Sequence, residues 1–135
     1  CGSDNVACDF EIEGMKRREG DFHRIQYQLT EPERSRYRDL GRMASRTFTN
    51  IGNEIEVGMT ELDVAARVSH NLMRENIQPR LVLVACDNRI SDYRHPIPTQ
   101  QKISTYVMYV AVAAKWGLNR VTNAWASSGS CHILT

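Results

Sequence analysis

The sequence lacks long apolar runs. No stretch of the 135-residue chain approaches the roughly 20 consecutive apolar residues of a membrane-spanning helix, so we expect no membrane segment. A secretory signal peptide is not visible either, which predicts a cytoplasmic protein. The composition is 41% hydrophobic and 24% charged, without repeats or low-complexity tracts. These features indicate an ordinary globular chain with enough residues for one hydrophobic core.

Cysteine is scarce, and its spacing is not that of a metal site. The four cysteines form no CxxC pair and no cysteine–histidine pattern of the zinc type, which argues against a structural zinc site. Cys86 ends the apolar run RLVLVAC. We expect its thiol to be buried, because a free cysteine packs as a small hydrophobic side chain.

Arginine is the abundant charged residue, and five arginines fall between Arg34 and Arg46. Such a cluster could contact phosphate groups or an acidic partner. Glu31, Glu33 and Asp39 are interleaved with it at helical spacing, so we interpret the cluster as a solvated helix face with ion pairs. Nucleic acid is therefore not an expected partner.

Two helices are predicted in the first half of the chain. A capping box of Thr30 and Glu33 predicts the start of the first, and Gly58 is expected to end it. Thr60 is expected to start the second helix, and Asn76 to end it in a left-handed conformation. The predicted apolar sides are Tyr37, Leu40, Ala44, Phe48, Ile51 and Ile55 in the first helix and Leu62, Ala65, Ala66, Leu72 and Met73 in the second.

Three strands are predicted after the helices. The run RLVLVAC is the first, residues 103–114 predict a strand buried on both faces, and Lys115-Trp116-Gly117 predicts a turn into a third strand. Helices followed by strands predict an α+β fold, with two helices packed on one face of a mainly antiparallel sheet. The predicted domain boundaries are residues 1–29 for a linker or edge segment of a preceding domain, 30–129 for the domain and 130–135 for an unassigned tail.

One loop, ISDYRHPIPTQQKI, is rich in titratable side chains in front of a Pro-Ile-Pro run that no helix or central strand accommodates. Asp87, Asp92 and His95 are residue types that bind divalent metals, but their spacing is not diagnostic, and we assign no metal ligand here. His95 precedes a proline and is therefore held extended. Its imidazole either donates a hydrogen bond to a substrate carbonyl or closes a turn.

The order of motifs resembles that of a known family. Tyr37-Arg38-Asp39-Leu40-Gly41, Gly58-Met59-Thr60-Glu61 and the loop RHPIPT occur in the order found in the pita-bread metallopeptidases, which include aminopeptidase P, prolidase, methionine aminopeptidase and creatinase. The chain is similar in particular to the first half of the catalytic domain of bacterial aminopeptidase-P-like members, over residues 25–129. The resemblance implies half of a pita-bread fold and a hydrolase that acts on Xaa-Pro peptides or a related small amide.

The resemblance also implies a site. His95 matches the histidine with which family members contact the substrate or the reaction intermediate. It is therefore the expected catalytic residue, as a hydrogen-bond donor to the scissile carbonyl or its oxyanion. Tyr93, Arg94 and His95 are the expected substrate-binding residues in one wall of a cleft. Active members hold a divalent metal, which is manganese, cobalt or zinc.

The sequence departs from the family where the metal is bound. Active members place two metal-binding aspartates on the strand pair after the loop, and here that region reads VAVAAKWGLNRVTNAW. No aspartate or glutamate follows Asp92. Hard divalent ions need carboxylates as ligands and to offset their charge. We therefore expect no cofactor in this chain and a catalytically incomplete segment.

Two functions stay open. In the first, the chain is a segment of an aminopeptidase-P-like metallopeptidase that acts on a peptide or small amide. In the second, it is a noncatalytic relative that binds peptide, protein or nucleic acid. The ion-paired arginine cluster makes nucleic acid the least expected of these partners. In both, half of a two-layer fold exposes surfaces that pair with other chains, so we expect self-association or a covering partner domain.

Overall fold

The computed structural model describes residues 6–127 and 130–134. The chain forms two compact units, Cys1–Arg34 and Ser35–Thr135. Residues 1–5 of the predicted linker, and residues 128, 129 and 135, lie outside the described residues. No helix in the described ranges is both long and apolar enough to cross a membrane. The cytoplasmic location and the domain boundaries stay predictions.

The first unit contains short elements. Strands β1 (Ala7–Cys8) and β2 (Lys16–Arg17) pair in parallel, and helix α1 (Glu19–Tyr27) follows. Glu19 and Asp21 lie in the first turn of α1, where unpaired N–H groups favour negative charge. The sequence pattern predicted no element here, because these residues lack a clear apolar period.

The long helix α2 (Glu31–Asn53) begins where the capping box predicted. The Glu33 carboxylate accepts hydrogen bonds from the backbone N–H and the hydroxyl of Thr30, both at 2.7 Å. The predicted end at Gly58 is wrong, since the helix stops before it. The Gly58 N–H instead donates to the carbonyl of Ile103 at 2.9 Å, so this segment is bonded to a later part of the chain.

Helix α3 (Glu61–Arg74) also starts as predicted, with a capping box. The Thr60 hydroxyl accepts from the Asp63 N–H at 3.1 Å, and the Asp63 carboxylate accepts from the Thr60 N–H at 2.8 Å. Asn76 follows the helix with a φ of 55°, which confirms the left-handed conformation predicted for it. Residues at both ends of α3 therefore form the hydrogen bonds and turns that their types favour.

The buried side of α3 differs from the predicted one. Leu62, Ala66 and Met73, which the sequence pattern assigns to it, are exposed. The buried positions recur every three or four residues, as one face of a helix does, and they include a glutamate. They are Glu61, Val64, Ala65, Val68 and Leu72.

The second unit contains a four-stranded antiparallel sheet in the order β3-β4-β5-β6. Trp116 and Gly117, with φ of 55° and 79°, form a two-residue turn between β4 and β5, within the turn predicted at Lys115-Trp116-Gly117. Residues 130–134, which the sequence left unassigned, form the last strand. The elements after α3 are β3 (Gln78–Cys86), α4 (Arg89–Asp92), β4 (Tyr106–Lys115), β5 (Leu118–Ser127) and β6 (Ser130–Leu134).

Helices α2 and α3 pack on one face of this sheet, which confirms the α+β fold. The rings of Phe48 in α2 and Tyr109 in β4 stack with centroids 5.1 Å apart. The Tyr109 hydroxyl donates to the carbonyl of Phe48 at 2.9 Å, so the ring packs in the core and the buried hydroxyl has a hydrogen-bond partner. Other members of the same core are Leu40, Ala44, Ile51, Val64, Val68, Leu72, Val84, Val107 and Ala124.

The prediction that β4 is buried on both faces is wrong, because the helices cover only one face. Along β4, fully buried residues alternate with half-exposed ones. We call the opposite side of the sheet the outer face. Across β4 and β5 it consists of the paired residues Met108 and Trp125, Val110 and Asn123, and Val112 and Val121.

Candidate functional site

One buried carboxylate, that of Glu61, holds the loop that carries the predicted site. Its Oε1 accepts hydrogen bonds from the Cys86 N–H and from Nε of Arg89, both at 2.9 Å. Its Oε2 accepts from the N–H and the hydroxyl of Thr99, at 2.9 and 2.7 Å. Glu61 has no exposed surface. A buried carboxylate is tolerated when its charge and lone pairs are satisfied, and these four donors do so.

The protonation of Glu61 follows from two opposed effects. Burial by itself raises the pKa of the Glu61 carboxyl, because it penalises the charged form. Hydrogen bonds from Thr99, Cys86 and Arg89 outweigh burial and leave that pKa below its ordinary value of 4.5. Glu61 is therefore ionised at neutral pH and forms an ion pair with Arg89, whose side chain is 23% exposed.

Backbone contacts fix the loop on two further sides. The Val84 N–H donates to the carbonyl of Pro96 at 3.2 Å, along the edge of β3 that no strand covers among the described residues. The Leu62 N–H in the first turn of α3 donates to the carbonyl of Thr99 at 3.1 Å. The loop thus bridges the start of α3 and the free edge of β3, and it satisfies backbone groups of both.

Arg89 links the buried carboxylate to the exposed part of the loop. One of its terminal nitrogens donates to the carbonyl of Ile97 at 3.0 Å. Its guanidinium carbon lies 4.7 Å from the centre of the Tyr93 ring. A guanidinium over an aromatic face is attracted by the ring electrons, so this contact orients Tyr93. The tyrosine nevertheless remains 52% exposed.

The predicted site residues Tyr93, Arg94 and His95 are all exposed and adjacent. Within the described part of the chain, the side chains of Arg94 and His95 form no hydrogen bond or ion pair. Their polar groups are therefore available to a ligand, on a loop whose base is fixed by Glu61. That they contact a substrate stays a prediction.

Asp87, Asp92 and His95 do not come together as a metal site. The Asp87 carboxylate accepts hydrogen bonds from the N–H groups of Ser104 and Thr105, both at 2.9 Å. Burial raises its pKa, but these bonds outweigh burial and hold the pKa of Asp87 below its ordinary value. Among residues 6–127 and 130–134, no three histidine, cysteine or acidic side chains lie close enough to hold a metal ion. Asp87, Asp92 and His95 therefore do not fit a divalent metal ion.

Glu61 was not predicted as a site residue, because the sequence shows it only as the last residue of the Gly58-Met59-Thr60-Glu61 motif. A signal was present. Glu61 stands in phase with Ala65, Val68 and Leu72, so helical spacing places its carboxylate on the buried face. A carboxylate in phase with an apolar stripe needs partners from other elements, and the sequence does not reveal which ones.

Cys86 is buried as predicted, with 1% of its surface exposed. Burial, together with the neighbouring Glu61 carboxylate, raises the pKa of the Cys86 thiol to about 12. A protonated buried thiol is unreactive, because the thiolate is the nucleophile and the metal ligand. Cys86 is therefore part of the support of the loop and supplies no chemistry of its own.

The comparisons with known proteins show a likeness of fold. The structure of the X-Pro aminopeptidase from Thermotoga maritima MSB8 matches 84% of this chain with a TM-score of 0.73 and 15% sequence identity. The match covers 33% of that protein, so the chain spans about a third of its length. No family model and no curated protein match the sequence. At this identity the likeness shows the fold alone, and in its fold the chain is similar to part of an X-Pro aminopeptidase.

Proposed function

We propose that this chain is a segment of an aminopeptidase-P-like protein and that its loop at Tyr93–His95 binds a peptide or small amide. The observation that carries the proposal is the fixed base of the loop. Glu61 and Arg89 hold the loop while three adjacent side chains stay exposed. A preorganised loop loses less conformational freedom when a ligand binds. The likeness of fold to an X-Pro aminopeptidase supports the same class of ligand.

Each exposed side chain has a chemical task in this proposal. The His95 imidazole donates a hydrogen bond to a carbonyl oxygen of the ligand. The Arg94 guanidinium offers a planar fork of N–H groups that suits the terminal carboxylate of a short peptide. Tyr93 presents a flat, partly apolar ring on which a proline ring can pack. Together they favour short peptides that contain proline.

Hydrolysis is not assigned to the residues of this chain. Metal-dependent cleavage needs carboxylates to hold the ion, and no acidic residue follows Asp92. The outer face of the sheet carries mostly apolar residues such as Met108, Val110 and Val112. We therefore propose binding without cleavage for this chain, which is the noncatalytic form of the same family assignment.

Peptide titrations test the proposal. Heteronuclear NMR would follow Ala-Pro-Ala and, as a ligand control, Ala-Ala-Ala, added to the wild-type chain and to His95→Ala. We expect His95→Ala to weaken Ala-Pro-Ala binding about tenfold, because one hydrogen bond to the ligand is lost. His70→Ala is the matched control, since His70 is exposed on α3, and it should leave the affinity unchanged.

Two results would contradict the proposal. Equal affinities of the wild type and His95→Ala, or no binding by either, would remove the ligand-binding role of the loop. Cleavage of Ala-Pro-Ala by the wild type after addition of Mn²⁺, Co²⁺ or Zn²⁺ would show that the chain is catalytically complete.

We also propose that the outer face associates with a second copy of the chain. Val121 on this face is 61% exposed, and Val112 opposite it is half-buried. Apolar patches of this kind pair with other surfaces. Sedimentation velocity should show association that grows with concentration and that Val121→Lys weakens. A monomer at every concentration would contradict this proposal.

A further inference from the structure

We propose that the chain carries a second binding site, an arginine-lined cleft that binds the phosphate group of a soluble small molecule. The cleft lies between α2 and β5 and has a volume of about 630 Å³. It is separate from the loop at Tyr93–His95, and the inference does not rest on peptide binding. The lining residues are Tyr37, Arg38, Gly41, Arg42, Ser45 and Arg120.

Arg120 is the residue that marks this cleft as a binding site. It lies on the helix-facing side of β5, in register with Ala113 and in alternation with the buried Thr122 and Ala124. Its Nε is buried and has no hydrogen-bond acceptor among the described residues. A buried N–H without an acceptor is costly and rare in folded proteins. A ligand oxygen in the cleft is the partner that this chemistry calls for.

The charge of the cleft has one sign. Arg38 and Arg42 extend from α2 beside Arg120, and none of the six lining residues is acidic. Arg42 also pairs with Asp39, which lies outside the lining, and its side chain is 76% exposed. Its remaining N–H groups can therefore reach a ligand, since a guanidinium has five donors. The cleft attracts an anion.

Arg34 and Arg46 on α2 do not line the cleft, and each forms an ion pair. Arg34 pairs with Glu31 at 3.3 Å, and Arg46 pairs with Glu75 at 3.5 Å. Ion pairs with the interleaved acidic residues, which the sequence predicts, are formed by Arg34 with Glu31 and by Arg42 with Asp39. Three guanidinium groups, those of Arg38, Arg42 and Arg120, line one cleft of about 630 Å³, a size that suits a compact anion better than an extended polyanion.

The middle of α2 leaves space for a ligand. Gly41 lines the cleft, and a Cβ added there would meet no atom within 4 Å. No close packing contact therefore requires glycine at this position, although glycine weakens a helix interior relative to alanine. The hydroxyls of Tyr37 and Ser45 add hydrogen-bond donors on the same helix.

Phosphate fits this arrangement better than carboxylate does. A planar carboxylate is satisfied by the fork of one guanidinium, whereas a tetrahedral phosphate accepts donors from several directions. Here guanidinium groups reach the cleft from α2 and from β5, which are different elements. None of the lining residues is a large exposed apolar side chain that would enter lipid, so a soluble phosphate ester fits better than a lipid headgroup.

Titration of the full chain with glycerol phosphate tests the inference. Heteronuclear NMR at constant ionic strength, with chloride as the reference anion, should show saturable shifts at Gly41, Ser45 and Arg120. We expect Arg120→Met to weaken binding about tenfold or more, since a charge-assisted hydrogen bond is lost. Arg34→Met removes the same charge from the same helix outside the cleft, and it should leave the affinity unchanged.

A second variant keeps the test decisive if Arg120→Met does not fold. Gly41→Leu adds a side chain where open space exists, so it should preserve the circular dichroism spectrum while it blocks the cleft. Loss of binding in Gly41→Leu supports the inference, and retained binding overturns it.

Other outcomes would also overturn it. Equal weakening by Arg34→Met would show general charge attraction, and absence of binding by the wild type would remove the site. Acetate that binds as tightly as glycerol phosphate would overturn the preference for phosphate. Binding to vesicles that contain phosphatidylinositol phosphate, without binding to glycerol phosphate, would assign the arginines to a membrane surface.

Discussion

Glu61 and Arg120 are charged residues of opposite sign, and they differ in how well the fold satisfies them. The Glu61 carboxylate has four donors from three residues of the chain, at 2.7 to 2.9 Å. Arg120 has a buried Nε with no acceptor in the described ranges. A buried charged side chain whose hydrogen bonds are all made within the chain stabilises the fold. One with an unsatisfied donor can still bind a ligand.

This difference predicts a structural role for Glu61 and a ligand-binding role for Arg120. The Glu61 carboxylate is bonded within the chain, and through Arg89 and Thr99 it holds the loop that exposes His95. The Nε of Arg120 has no acceptor within the described part of the chain, and the residue lines an open cleft. Substitutions at the two residues should therefore affect stability and binding in opposite proportions.

The largest effect is expected when Glu61 is removed. Glu61→Ala leaves Arg89 and several buried donors unpaired, so we expect the free energy of unfolding to fall by about 3–5 kcal/mol, the usual cost of breaking a buried pair. Urea unfolding followed by circular dichroism measures it. Glu54→Ala breaks an exposed pair with Arg67 and should cost less than about 1 kcal/mol. Equal losses in the two variants would contradict the structural role of Glu61.

Acid should produce the next largest effect. Hydrogen bonds hold the pKa values of Glu61 and Asp87 below their ordinary values of 4.5 and 3.8, so the unfolded chain takes up these protons first as the pH falls. Their contribution to stability is complete above the ordinary values and is lost as the pH falls through the lowered ones. Urea unfolding at several pH values should show this loss below about pH 4.5.

The variant Glu61→Gln sharpens the acid experiment. It removes the Glu61 carboxyl and leaves that of Asp87, so the stability of this variant should start lower at neutral pH and decline less in acid than that of the wild type. An unchanged acid dependence would show that Glu61 does not titrate with folding.

The smallest effect is expected at Arg120. Without phosphate, Arg120→Met replaces an unsatisfied N–H by an apolar group of similar length, so the free energy of unfolding should stay equal or rise by about 1 kcal/mol. With phosphate the wild type alone should gain stability, because the ligand binds only the folded chain. Thermal unfolding with and without glycerol phosphate measures both. A large destabilisation by Arg120→Met without phosphate would make Arg120 a structural residue like Glu61.

Local sequence signals predicted the elements well where short-range chemistry decides them. The capping residues Thr30 and Thr60, the left-handed Asn76 and the turn at Trp116-Gly117 act through neighbours a few residues away, and each lies where predicted. The wrong predictions concern features that depend on residues far apart in the sequence. α2 ends at Asn53, and Gly58 is bonded to the distant Ile103, while the buried side of α3 depends on which residues meet the sheet.

The sequence by itself determined the α+β class, the order of α2, α3, β3, β4 and β5, and the position of a loop with Tyr93, Arg94 and His95. Only the tertiary structure decided how that loop is held and where a second site can lie. Glu61 meets Thr99 across 38 positions of the chain, and Arg120 reaches the cleft on α2 from a distant strand. Partners this far apart in sequence are chosen by packing of whole elements, because no local spacing or propensity encodes them.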